Sequence, residues 1–77
     1  MPDTAQILDL RGLKCPLPAL KTRKALRGLA PGARLVVECT DPLAAIDIPA
    51  LLSETGDVLE AQESSGDAQL FRIRRAL

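Results

Sequence analysis

Glycine and proline constrain this sequence of 77 residues more than any other feature. Gly12, Pro16, Pro18, Gly28, Pro31-Gly32, Pro42, Pro49, Gly56 and Gly66 cut the chain into short pieces. Each piece can hold one strand or a helix of a few turns, and nothing longer. Ile7 to Leu10 (ILDL) reads as a short apolar strand, followed by a turn from Arg11 to Lys14 around Gly12. Pro16 to Gly28 reads as a helix, because proline is tolerated at the first helical position and glycine stops a helix. Ala33 to Thr40 (ARLVVECT) reads as a β-branched strand. Asp41-Pro42 opens a short helical turn. A second helix is then expected to start with Asp47 as its cap and Pro49 in its first turn, and to end near Thr55, before Gly56. Val58 to Glu63 and Gln69 to Arg74 read as two strands around a Ser-Ser-Gly-Asp turn, a hairpin signal. The order is βαβαββ. Its simplest architecture is an α+β two-layer sandwich, with two helices on one face of a four-stranded mixed sheet. Residues 1–77 are expected to form a single domain, without repeats, linkers or low-complexity segments.

Composition narrows what such a domain does. Hydrophobic residues make up 47% of the chain, which suits a globular fold and not a disordered one. Phe71 is the only aromatic, so the core must be built from aliphatic side chains. Ten basic and ten acidic residues cancel, and this argues against direct nucleic-acid binding, which usually carries a basic excess. No apolar run approaches the roughly 20 residues of a membrane span. Met1 to Gln6 has neither a basic start nor an apolar run, so it does not read as a signal peptide. The expected location is the cytoplasm, where thiols stay reduced. Two cysteines are too few for a disulfide scaffold, and with no histidine the chain has no Cys-His catalytic pair and no histidine-ligated metal site. No metal and no cofactor is expected.

Stepped at about 100° per residue, the first helix places Ala19, Thr22, Ala25, Leu26 and Leu29 on one side, as a core stripe. Lys21, Arg23, Lys24 and Arg27 fall on the other, with Leu17 and Leu20 among them. Single exposed leucines are common and can be incidental; within a basic face near a cysteine they can also form a docking patch. Cys15 stands just before the helix, where the positive end of the helix dipole is expected to stabilise a thiolate and lower its pKa, with Lys14 and Arg11 nearby. Pro16 and Pro18 remove two amide donors from that helix start and are expected to hold the sulfur outward on a stiff platform. Cys39 is in phase with Leu35 and Val37 on its strand, which favours a core position. Metal binding or a Cys15–Cys39 disulfide is the alternative there. Cys15 lacks a second cysteine at the CxxC spacing, since Pro18 occupies that place. It is poorly equipped for hydrolysis or dithiol redox cycling, and suited to accepting something on sulfur and handing it on.

These residues carry a resemblance. LDLRGLKCPLPALKTRKAL, residues 8–26, resembles the signature of the TusA/SirA-like small sulfur carriers, whose first helix opens with Cys-Pro-x-Pro after a Gly-Leu turn. Asp9, Arg23-Lys24, Pro31-Gly32, Asp41-Pro42 and Asp47-Ile48-Pro49 follow the same pattern, so the likeness runs from about Ile7 to Arg74. It implies the βαβαββ fold and a role for Cys15. The cysteine would take sulfane sulfur as a persulfide from a cysteine desulfurase or rhodanese-like donor, and relay it to an acceptor protein such as a DsrE-like one. That traffic would serve tRNA thiolation or another sulfur pathway, with the chain a carrier more than a true catalyst. The resemblance further implies Gly12, Pro16 and Pro18 as motif residues, and Leu20, Arg23, Arg27 and Asp41 as partner contacts; Leu17 and Lys24, on the same helix face, are expected to join that docking surface. The alternative is a regulatory protein- or RNA-binding module that uses the basic face of the first helix on the same fold.

Overall fold

The computed structural model describes residues 5–76. Six elements follow in the order β1 (Gln6–Leu10), α1 (Leu17–Arg27), β2 (Arg34–Cys39), α2 (Ala44–Thr55), β3 (Val58–Ser65) and β4 (Ala68–Arg74). The strands form one mixed sheet in the order β1-β2-β4-β3. β1 and β2 are parallel, as a crossover through α1 requires, and the other neighbours are antiparallel. The expected α+β sandwich is therefore the observed fold.

Register puts one face of the sheet under the helices. Leu35 pairs with Ile73 and Val37 with Phe71, and all four are fully buried. They join Leu10 and Cys39 from the strands, Leu26 from α1, and Ala44, Ile48 and Leu52 from α2 in one core cluster. Each large aliphatic side chain buried this way contributes about 1.5–3 kcal/mol relative to exposure. The other face is polar. Glu60, the residue left over at the irregularity between Leu59 and Ala61, accepts hydrogen bonds from Arg34 Nε (3.1 Å) and Arg74 Nε (3.2 Å). Arg72 pairs with Glu63 beside them.

α1 is one residue shorter at each end than its sequence pattern suggests, with Pro16 and Gly28 as caps. Pro18 lies at the second helical position, where its missing N–H is harmless. The stripe of α1 follows the pattern: Thr22 and Leu26 are buried, and Ala19, Ala25 and Leu29 half-buried. Pro18 is buried with them in the first turn, and Pro16 stays exposed beside the sulfur.

α2 corrects the sequence reading. It starts at Ala44, not at Asp47, and Pro49 is an interior residue. The reason is the turn before it. Asp41 Oδ1 accepts the Leu43 N–H (3.0 Å) and the Asp41 carbonyl accepts that of Ala44 (3.0 Å). Asp47 N–H then bonds the Leu43 carbonyl (2.9 Å), so the turn at Pro42 runs straight into the helix. Pro49 leaves the Ala45 carbonyl without its usual helical donor, and the burial of Ile48, Leu51 and Leu52 offsets that loss. The helix stops as expected at Gly56, left-handed at φ +82°. The hairpin is longer than expected: Ser64 and Ser65 also pair, with Gln69 and Ala68. Gly66, at φ +61°, opens a two-residue turn of the kind that matches the twist of paired strands.

Asp57 fastens the last strand to the end of α2. Its buried carboxylate accepts hydrogen bonds from Thr55 Oγ1 (2.8 Å), the Ala76 N–H (2.8 Å) and Arg75 Nη1 (3.3 Å). Asp57→Ala removes the acceptor shared by all three donors. It should lower stability by about 1–3 kcal/mol in urea unfolding, and Arg75→Ala, at a half-buried position, should lower it by less.

Candidate functional site

β1 and β2 run parallel, so both end at the same edge of the molecule, and the loops that follow them meet there. Gly12, at φ +83°, turns the first loop and donates its N–H to Thr40 Oγ1 (2.8 Å) at the end of β2. Three residues later, the Cys15 N–H donates to Asp41 Oδ2 (2.6 Å). Asp41 thus holds the cysteine backbone with one oxygen and the start of α2 with the other. The Cys15–Pro16 peptide is cis. Cys15 is exposed, and its Sγ donates to Asp47 Oδ2 at 3.0 Å.

The sulfur lies in a shallow groove between the helices. Pro16, Ala19, Leu20 and Arg23 line one wall; Asp47, Ala50, Leu51 and Glu54 line the other. An ion pair between Arg23 and Glu54 (2.9 Å) spans the two walls. Leu17 and Leu20, at 44% and 55% exposed, present apolar surface on the α1 side. Lys24 and Arg27 lie farther along α1, exposed and in no ion pair among the described residues. Lys24 borders a different hollow, shared with Lys21, Leu8 and Ala25 beside β1. The structure thus gathers Cys15, Pro16, Leu20 and Arg23 in one groove, with Asp41 bonded to the cysteine backbone. Leu17, Lys24 and Arg27 lie on α1 outside the groove lining, as do Gly12, in the loop before the cysteine, and Pro18, buried in the first turn of α1.

Electrostatics at the sulfur runs opposite to the sequence expectation. The hydrogen bond to Asp47 is the largest influence, and it pushes the Cys15 thiol above its ordinary range. Desolvation and the negative charges of Asp47 and Asp41 push the same way. The helix dipole is expected to give only a moderate lowering, because Pro16 and Pro18 remove amide donors from its first turn, and the carboxylate bonded to the sulfur outweighs it. Arg11, expected to help a thiolate, is taken up by Asp9 (2.9 Å). Asp47 and Glu54 are the functional candidates that sequence reasoning missed. Asp47 read as a helix cap, and its contact with Cys15 spans 32 positions, which no local pattern reveals.

Cys39 lies in the core, fully buried on β2, as its phase with Leu35 and Val37 indicates. It is a free thiol, and so is Cys15. Burial raises its pKa to about 11 from an ordinary 9.0, with the charges of Asp41 and Glu38 adding to the effect. Among the described residues no group of three metal-ligating side chains comes together, and no helix is long and apolar enough to cross a membrane.

Fold and site together define a class: small α+β domains that present one cysteine at a Cys-Pro-x-Pro helix start, at the edge where two parallel strands end. The sequence model of the family described as sulfurtransferase TusA matches residues 6–75. The sulfur carrier protein TusA of Allochromatium vinosum is 37% identical over 76 residues, covering 99% of this chain and all of its own. Those of Pseudomonas paraeruginosa and Pseudomonas aeruginosa are 39% identical over 69 residues, covering 90% of this chain and 87% of theirs. The chain belongs to the TusA family.

Both cysteines make measurable pH predictions. A raised pKa leaves Cys15 with a smaller thiolate fraction at any given pH. Iodoacetamide should therefore alkylate it more slowly at neutral pH than it alkylates the urea-unfolded chain, and the rate should reach half its maximum at a higher pH. For Cys39, the unfolded chain releases its proton near 9.0 while the folded chain holds it to about 11. Its contribution to stability is full below the lower value and lost as pH rises through the higher one. Urea unfolding should show a loss of roughly 2–3 kcal/mol across that window, absent in Cys39→Ala.

Proposed function

We propose that this chain is a sulfur carrier that works through a persulfide on Cys15. The observation that carries the reading is the isolation of one exposed thiol at the head of a groove, while Cys39 is enclosed in the core. An oxidoreductase would need a second thiol within reach. A hydrolase would need a base and an oxyanion-binding arrangement around a bound substrate. A carrier needs neither, because the donor supplies an activated sulfur and the acceptor removes it. The names of the TusA relatives support the same conclusion. Nothing in the geometry or the comparisons favours the regulatory or RNA-binding alternative.

The donor is a protein of the cysteine desulfurase or rhodanese type, and the acceptor is a downstream protein thiol. Leu17 and Leu20 supply apolar docking surface beside the sulfur. Lys24 and Arg27, unpaired among the described residues, supply attraction for an acidic partner, and this acts chiefly on the association rate. Arg23 is already paired with Glu54, so it contributes by exchanging that partner. The carrier works in the cytoplasm, where a persulfide is not lost to disulfide formation.

Intact mass after incubation with cysteine and a cysteine desulfurase, or with thiosulfate and a rhodanese, tests the reading. The protein should gain one sulfur atom, Cys39→Ala should still gain it, and Cys15→Ala should not. Lys24→Glu with Arg27→Glu should slow loading from the protein donor while leaving loading from inorganic polysulfide unchanged. No sulfur gain from any donor would sink the proposal.

A further inference from the structure

Asp47 makes a contact that neither the fold nor the docking surface requires. Its Oδ2 lies 3.0 Å from Cys15 Sγ and accepts the S–H, and no other described group bonds that sulfur. α2 does not use Asp47 as its cap, because Leu43 holds that position. The chain has no histidine, so the usual proton acceptor of an active cysteine is missing. The other charged groups around the sulfur are differently engaged. Asp41 holds the Cys15 N–H, and Arg23 from α1 and Glu54 from α2 are paired with each other across the groove. Lys14 precedes the cysteine in the chain.

We infer that Asp47 is the base that takes the Cys15 proton during sulfur loading. The inference rests on the carrier reading and assigns its proton step. Cys15 Sγ attacks the outer sulfur of a donor persulfide, R′–S–SH. The new Sγ–S bond forms as the S–S bond of the donor breaks, and that electron pair leaves with R′–S⁻. The Cys15 proton passes to Asp47 Oδ2 and from there to the departing thiolate. The products are Cys15–S–SH and R′–SH, with no net oxidation and no further reagent.

The same contact gives the resting protein a distinct reactivity. A carboxylate at hydrogen-bond distance keeps the idle sulfur protonated and slow towards reagents that need a preformed thiolate. It removes the proton only as an electrophilic sulfur arrives, when the forming bond makes the S–H more acidic. A thiol of high pKa is also intrinsically more nucleophilic once its proton is gone.

Two reactions of wild type, Asp47→Asn and Asp47→Glu, followed from neutral to alkaline pH, separate this role from a structural one. With iodoacetamide, which reads the thiolate fraction, Asp47→Asn should react faster than wild type at neutral pH. With inorganic polysulfide, which reads sulfur loading by intact mass, Asp47→Asn should load more slowly, by on the order of 10- to 100-fold. The loading deficit should shrink as hydroxide takes over at alkaline pH, and Asp47→Glu should recover part of the rate. Structural damage would not move the two reactions in opposite directions. Asp47→Asn loading as fast as wild type at neutral pH would overturn the inference and leave the carrier reading standing. So would alkylation profiles that do not differ. A wild-type protein that is alkylated but takes up no sulfur from any donor would end both.

Discussion

The buried face of β2 is the constraint on which the rest of the molecule depends. Leu35, Val37 and Cys39 are fully enclosed, and register against Phe71 and Ile73 leaves them no alternative face. A slip of one residue would bring Arg34, Val36 and Glu38 into the core, at the expense of burying two charges. With β2 fixed, its last residue and the loop beyond it are fixed as well. Thr40 and Asp41 are thereby delivered to the edge where β1 also ends, and there they hold the loop that carries Cys15. The site is an extension of the core by way of one strand end and two hydrogen bonds.

Asp41 and Asp47 divide the work at the cysteine. Asp41 accepts backbone donors only, from Cys15 and Leu43, and so acts as a brace between the loop and α2. Asp47 faces the sulfur itself. The hydrogen bond to Asp47, then desolvation and the charges of both carboxylates, push the thiol pKa up although it stands at a helix start, a place usually associated with easy ionisation. A carrier gains from such a thiol. On the proposed reading such a thiol is protonated between encounters and is deprotonated as it meets its sulfur donor.

Much of the fold was legible in the sequence because short elements separated by glycine and proline have few ways to pack. Six elements, their order and the two-layer arrangement all followed from breakers and periodicity. The start of α2 did not. Asp47-Ile48-Pro49 carries every local mark of a helix beginning, yet the side chain and carbonyl of Asp41 start the helix earlier, and tertiary burial of Ile48 and Leu52 holds Pro49 inside it.

Taken alone, the sequence singled out Cys15 as the candidate for the chemistry, a cysteine between a glycine turn and Pro-x-Pro in a chain without histidine. It determined as well that Cys39 belongs to the core, because alternation along a strand is a local property. Only the tertiary structure decided the environment of the sulfur. The two carboxylates that govern it come from positions 26 and 32 residues away, brought in by a parallel strand pair and a neighbouring helix. Sequence proximity suggested cations, Arg11 and Lys14, as the electrostatic neighbours, and spatial proximity supplied anions. Charge acts through space and falls off with distance between atoms, not along the chain; that is why the candidate residue could be picked out in the sequence and the charges around its sulfur could not.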